Sequence, residues 1–343
     1  MEEAVIWHDL RQLELEGQGW TDTASCYDRL PARAQAVVRE PVWDLSRHSA
    51  GLCARFVTEA SVLQARWTLT AQSLAMPHMP ATGVSGLDLY ARTEAGPWRW
   101  LAVGVPQVFP TSQVQLVSGL PPGRREYLLY LPLYNGVSAV EIGLPTDCRL
   151  EKAPPRPTGR RRPLVFYGTS ITQGGCASRP GMVHTALLGR WLDCPVINLG
   201  FSGNGRMEPE ITELLAELDA AVFVIDCLPN MAPQEVAECT VPLVQTLRRA
   251  RPATPIVLVE DRSYTNAFFL TSARQGNLDR RAALRAAHAE LLAQGIGDLH
   301  YLEGEELLGG DDEGTVDSSH PTDLGFMRQA QAFLPLLQKL LGA

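Results

Sequence analysis

From residue 163 onward, five short apolar runs alternate with helical stretches, and this alternation limits the fold more than any other feature of the chain. The runs span 164–167, 196–199, 221–225, 256–259 and 299–302. The helical stretches include 210–218, 234–250, 278–292 and 322–341. Continuous apolar strands have no water-facing side, so they read as a parallel sheet covered on both faces by its connecting helices. Five such strands in this stretch predict a flavodoxin-like, doubly wound α/β domain. Ligands of such sheets bind beyond the carboxyl ends of the strands.

Residues 1–155 are punctuated differently. Short runs rich in β-branched and aromatic residues occur at 52–57, 66–70, 87–90 and 98–103, with a turn at Glu94-Ala95-Gly96-Pro97. Runs at 127–134 and 137–142 flank Asn135-Gly136, a pair that tolerates the positive φ angles of a tight hairpin, so a hairpin is expected there. This spacing predicts an all-β sandwich, jelly-roll-like, over 1–155. Ala153-Pro154-Pro155-Arg156-Pro157-Thr158-Gly159 reads as a linker, and the α/β domain takes 156–343. Arg160-Arg161-Arg162 reads as a solvated charge run at the seam.

Composition narrows the function classes. A net charge of −8, from 38 acidic and 30 basic residues, disfavours a nucleic-acid partner. No apolar run reaches the roughly 18–20 residues of a membrane helix. The start, Met1-Glu2-Glu3-Ala4-Val5, has no basic or apolar signal region, which suggests a cytoplasmic location. Seven cysteines, an odd number without metal-type spacing, suit reduced and mostly buried thiols.

The strand ends carry the polar residues. The first run leads into Tyr167-Gly168-Thr169-Ser170-Ile171-Thr172-Gln173-Gly174-Gly175. A serine there holds its hydroxyl above the sheet with its N–H at a helix start, where negative charge is welcome. The same loop also suits a helix cap, a phosphate-binding turn or a plain glycine turn. The second run leads into Phe201-Ser202-Gly203-Asn204-Gly205, where glycine lets a backbone N–H approach a ligand. The third leads to Leu228-Pro229-Asn230, whose amide is either an oxyanion donor or a turn former. Asp317-Ser318-Ser319-His320-Pro321 precedes the last helical stretch. Its Asp, three residues before the His, can fix the imidazole tautomer and leave Nε2 free as a base. Pro321 suits the first helical position. Taken together, Ser170, Asp317 and His320 provide nucleophile, orienter and base, with Ser170 N–H, Gly203 and Asn230 as oxyanion donors.

These four blocks, in this order, resemble the SGNH (GDSL-type) hydrolases, named for Ser, Gly, Asn and His. Two departures stand out: Gly168-Thr169-Ser170 replaces the common Gly-Asp-Ser, and Leu228-Pro229-Asn230-Met231 replaces Gly-x-Asn-Asp. A group within that family carries the Gly-Thr-Ser form behind a β-sandwich bearing Gly-x-Asp-Leu-Tyr, to which Gly86-Leu87-Asp88-Leu89-Tyr90 is similar. The resemblance implies a serine esterase that removes short acyl groups, chiefly acetyl, from carbohydrates. It implies catalytic Ser170, Asp317 and His320, an oxyanion hole of Ser170, Gly203 and Asn230, and no metal or organic cofactor. The expected partner is an acylated carbohydrate or other small ester; a homo-oligomer is compatible with the sequence.

Three alternatives stay open: a lipid-ester or acyl-thioester hydrolase, a non-catalytic sugar-binding protein, and a flavin-binding electron carrier. No apolar lid segment stands out for the first. Among other residues, His184 and His300 read as satisfied structural histidines rather than metal ligands. Asp261-Arg262 reads as a salt bridge or cap, Trp98 and Trp100 as core packing on one face, and Asp88 as a residue at the inter-domain seam.

Overall fold

The computed structural model describes residues 4–93 and 96–342. The first half supplies ten strands: β1 (Val5–Asp9), β2 (Leu15–Glu16), β3 (Cys53–Thr58), β4 (Leu63–Leu69), β5 (Leu87–Arg92), β6 (Arg99–Gly104), β7 (Thr111–Val117), β8 (Arg125–Tyr130), β9 (Val137–Pro145) and β10 (Glu151–Lys152). Two short helices, α1 (Glu40–Ser46) and α2 (Ala81–Val84), interrupt them. One antiparallel sheet runs β1-β9-β4-β7. The other runs β10-β3-β8-β5-β6, with β2 paired to β3. Phe56, Leu89 and Leu129 of the second sheet meet Leu63, Trp67, Val140 and Ile142 of the first in one buried cluster, as period-two alternation requires. The expected turn at 94–97 has its Glu94 and Ala95 outside the described residues.

The hairpin expected at Asn135-Gly136 does not form. Strand β8 lies between β3 and β5 in one sheet, and β9 lies between β1 and β4 in the other. Pro132 cannot donate to a continuing ladder. Asn135 is buried, its amide bonding the Ala71 N–H at 3.0 Å, the Ala71 carbonyl at 2.9 Å and Ser85 Oγ at 3.1 Å. The glycine is needed for space: a Cβ at Gly136 would sit 2.5 Å from both Arg47 O and Thr70 Oγ1. The chain thus crosses between sheets, and residues 131–136 reach the second half of the molecule.

That half is built on β11 (Leu164–Gly168), β12 (Val196–Gly200), β13 (Val222–Asp226), β14 (Ile256–Val259) and β15 (Leu299–Leu302). All neighbours are parallel, in the order β12-β11-β13-β14-β15. The helices are α3 (Ser170–Gln173), α4 (His184–Trp191), α5 (Pro209–Glu217), α6 (Pro233–Ala250), α7 (Thr271–Ala293) and α8 (Asp323–Leu340). Side-chain alternation splits each strand between two cores. Val165, Tyr167, Phe223 and Ile225 face α5, α6 and α7, whereas Leu164, Phe166, Val222 and Val224 face α4 and α8. No helix among the described residues is long and apolar enough to cross a membrane.

Much of the segment 17–48 packs on the α/β half, although Tyr27 stays in the sandwich core. Trp20, Leu30, Val42 and Trp43 join the core cluster of Ile197, Leu199 and Phe201, and Trp20 Nε1 donates to Glu217 at 2.7 Å. Asp88 sits at the seam, as expected: its carboxylate accepts from Trp100 Nε1 (2.9 Å), Arg179 Nη1 (2.8 Å) and the Gly181 N–H (2.8 Å).

Other expectations need correction. Trp98 packs on buried Tyr90, Leu128 and Tyr130 beneath the Arg92 guanidinium, as expected, but Trp100 is 50% exposed on the edge strand β6, where Arg179 lies over its ring and Asp88 accepts its Nε1–H. The salt-bridge reading of Asp261 and Arg262 holds, with partners elsewhere in the fold: Asp261 pairs with Arg280 and Arg262 with Asp226. His184 is structural but not satisfied. It is fully buried, stacked on Phe326 with Phe166 at its edge, and neither ring nitrogen has a partner among the described residues. His300 Nε2 also lacks one.

Burial pushes His184 well below the ordinary histidine range. Burial and then the Arg29 charge bring His48 down to about 4. Unfolded, both imidazoles take a proton near pH 6.5; folded, they resist it. The unfolded chain therefore binds more protons below pH 6.5, and stability falls as pH drops towards 4, by at most about 1.4 kcal/mol per pH unit for each group. We expect the urea midpoint to fall between pH 7 and pH 5, and to fall less in His184→Leu, which has no imidazole to charge. An unchanged slope in that variant contradicts the assignment.

Candidate active site

Four loops meet at the carboxyl edge of the parallel sheet, and close backbone approach brings them together. A Cβ at Gly205 would lie 1.9 Å from Gly168 O, and one at Gly200 would lie 2.1 Å from the Gln173 N. Glycine at both positions lets the loop after β12 pack directly on the turn after β11. Beneath them, Asp226 at the end of β13 is buried and forms a two-pronged ion pair with Arg262, whose Nη2 lies 2.6 Å from Oδ2. Gln329 Oε1 takes Arg262 Nε at 2.9 Å, and Thr172 Oγ1 donates to Asp226 at 3.3 Å. This pair is partnered on every side, which is what makes a buried ion pair tolerable.

Ser170 opens α3, whose cap is Thr169: the Thr169 side chain accepts from the Ile171 N–H at 3.2 Å. The Ser170 side chain is almost fully buried. Its Oγ lies 2.8 Å from His320 Nε2. His320 Nδ1 lies 2.7 Å from Asp317 Oδ2. The other carboxylate oxygen, Oδ1, accepts from the His320 N–H (2.8 Å) and the Ser319 N–H (3.2 Å), so one side chain both shapes the loop and meets the imidazole. Burial works to raise the Asp317 carboxyl, but the hydrogen bonds from the His320 N–H and ring and the imidazole charge outweigh it and leave it below the usual aspartate range. Pro321 is not the first helical residue. It bridges Thr315 as the loop closes, and Thr322 takes the cap of α8, with Oγ1 accepting from the Gly325 N–H.

Gly203 has φ +70°, open space where a Cβ would be, and an N–H without a partner among the described residues; the Ser170 N–H likewise has none. Asn230 stands at the end of a short 3-10 turn, Leu228–Asn230. The surrounding donors orient its amide: Oδ1 accepts from the Asn204 N–H (3.0 Å) and the Gly205 N–H (3.2 Å). Nδ2 is then turned away from those two N–H groups. The structure thus brings Ser170, His320 and Asp317 into one chain of contacts and places Asn230 against the Gly203 loop.

Sequence reasoning missed the contribution of the first half. The His78 ring lies edge-on to that of His320, with centroids 5.9 Å apart. Tyr134, carried by the sheet-crossing segment, donates its hydroxyl to Ser170 O at 3.3 Å. Neither residue has a local signal, since each depends on a loop whose path the strand pattern leaves open. An apolar segment was missed as well. Phe268 and Phe269 are 66% and 81% exposed with ring centroids 4.4 Å apart, and Thr265 ties their loop to the Asp317–His320 loop through Ser318 O (3.1 Å).

The sequence pattern of the GDSL-like Lipase/Acylhydrolase family matches residues 161–338. That of the N-terminus of SGNH-hydrolase-type esterases matches residues 5–150. A protein described as a GDSL-like lipase from Bacteroides ovatus shares 34% identity and a TM-score of 0.92, over 99% of this chain and 98% of its own. The salicylyl-acyltransferase SsfX3 from a tetracycline biosynthetic pathway shares 20% identity and a TM-score of 0.74, over 98% and 97%. A family two carbohydrate esterase from Cellvibrio japonicus shares 13% identity and a TM-score of 0.65, over 99% of each chain. The last two are likenesses of fold alone. No curated protein matches the chain.

The short contact between His320 Nδ1 and Asp317 predicts a strongly deshielded ring proton in one-dimensional proton NMR. We expect that resonance downfield of the amide envelope, and absent from Asp317→Ala. Its persistence in the variant contradicts the contact.

Proposed function

The chain belongs to the GDSL-like lipase/acylhydrolase family, and on that premise we propose that it is a serine esterase removing short acyl groups, acetyl foremost, from a carbohydrate. The contact chain Ser170 Oγ–His320 Nε2–Asp317, at 2.8 Å and 2.7 Å, carries this reading. Asp317 holds the proton on Nδ1, so Nε2 is the free base facing the hydroxyl. His320 takes the Ser170 proton as Oγ attacks the ester carbonyl. The N–H groups of Ser170 and Gly203 and the Asn230 amide receive the charge that develops on the carbonyl oxygen. His320 passes the proton to the departing sugar hydroxyl. Water, activated by the same imidazole, then attacks the acyl-enzyme, and the acid leaves. Every step uses groups of this chain.

The carbohydrate part of the reading rests on the full-length fold shared with the Cellvibrio japonicus esterase. A second reading, a hydrolase of longer acyl esters, is favoured by one observation: Phe268 and Phe269 are exposed on a loop that Thr265 ties to Ser318 of the Asp317–His320 loop.

On an aryl acetate, Ser170→Ala and His320→Ala are expected to lower kcat by more than about 10³-fold, and Asn230→Ala by about 10²–10³-fold with little change in KM. A Ser170→Ala protein working at the wild-type rate ends this assignment. Acyl-chain length separates the two readings. Rates that fall sharply beyond propionate, with acetate released from acetylated xylo-oligosaccharides, support deacetylation; rates sustained to octanoate support the second.

A further inference from the structure

Within its own turn, the peptide that carries the Gly203 N–H is held by Asn204 Nδ2, which donates to Ser202 O at 2.9 Å, and the turn as a whole takes a further brace from outside. Gln173, the last residue of α3 and completely buried, supplies one. Its Oε1 accepts from the N–H of Ser202, the residue next to Gly203, at 3.0 Å. Its Nε2 donates to Leu133 O at 3.1 Å and reaches His48 Nδ1 at 3.1 Å. The orientation of this amide is determined twice over. A carbonyl oxygen can only accept and a backbone N–H can only donate, so Nε2 must face Leu133 and Oε1 must face Ser202. The second Nε2 hydrogen then requires His48 Nδ1 to be an acceptor, which a neutral imidazole is and a charged one is not. Burial and Arg29 keep His48 neutral. His48 is itself held through its carbonyl, which accepts from Arg29 Nε at 2.9 Å, while Arg29 Nη1 binds Asn198 O (3.1 Å) and Gly200 O (2.7 Å) at the end of β12.

We propose that Gln173 and His48 are positioning residues that aim the Gly203 N–H at the carbonyl oxygen of the bound ester. This makes the segment around residue 48 a working part of the oxyanion site. The inference rests on the reading of Ser170 as nucleophile and Gly203 as donor. It goes beyond that reading by assigning the geometry of the donor to two residues whose hydrogen bonds go to neither Ser170 Oγ nor His320.

The test uses the full chain, an aryl acetate and a small alkylboronic acid, whose Ser170 adduct places a tetrahedral oxygen among the donors. Gln173→Met keeps the length of the side chain and removes both polar partners. We expect kcat to fall about 10–100-fold with KM within about twofold, and boronate affinity to weaken by the same factor as kcat. Simple loss of packing does not weaken tetrahedral binding selectively. His48→Leu, which removes the acceptor, should show the same split to a smaller degree. His48→Asn, whose Oδ1 can stand in for Nδ1, should restore most of the rate. If Gln173→Met does not fold, the His48 pair decides. Wild-type kcat and boronate affinity in Gln173→Met, or equal rates in the two His48 variants, overturn the proposal while leaving Ser170→Ala inactive. An active Ser170→Ala overturns the function and the proposal together.

Discussion

A buried guanidinium with no carboxylate partner among the described residues organises the mouth of this site. Arg29 is almost fully buried, and its hydrogen bonds go to four backbone carbonyls: Leu45, His48, Asn198 and Gly200. Burial pulls its pKa down to about 9, so it stays protonated at neutral pH. A cation taken out of water is tolerable only when its donors are used, and the planar fork of arginine can reach several carbonyls at once where lysine offers a single point charge. Two of these carbonyls belong to the first half of the chain and two to the end of β12. One charge therefore fixes the distance between the early segment and the strand that leads to Gly203, and its ring neighbour Phe201, 4.9 Å away, closes the remaining face.

The first half consequently forms a wall of the site rather than a separate appendage. Met79 and Leu133 lie in the same core cluster as Phe166 and Val224, Asp88 holds the loop carrying Arg179 and Gly181, and His78 and Tyr134 come to the side of His320 and Ser170. On the opposite side, the Asp226–Arg262 pair ties the end of β13 to α8 through Gln329. The candidate catalytic groups sit between two buried charge systems, each held by polar partners and little exposed to screening by salt.

Much of this was legible in the sequence, for physical reasons. The five parallel strands betray themselves because the sheet is covered on both faces, so nearly every position is apolar, Asn198, Asp226 and His300 apart, and the run needs no partner to be recognised. Ser170, Gly203, Asn230, Asp317 and His320 were legible because each follows such a run or precedes the last helix, where the fold puts ligands. Asn135-Gly136 misled, since its turn chemistry is local while its burial is not. The pair serves a crossing between sheets, where Gly136 is chosen for lack of volume. His184 misled for a related reason: sequence records its isolation along the chain but not the phenylalanines around it. Gln173 lay inside the serine loop, yet nothing in its neighbours announces that its partners come from residues 48, 133 and 202. Contacts of that range are a property of topology, and periodicity carries none of it.

The hydroxyl of Ser170 and the imidazole that meets it are 150 positions apart along the chain. A ribosome adding about 5–20 residues per second needs roughly 8–30 s to cover that interval. Throughout it, the nascent polypeptide exposes an ordinary, unreactive alcohol. On the proposed mechanism, hydrolytic competence waits until His320 is made, after the sandwich and all five strands of the parallel sheet have been translated.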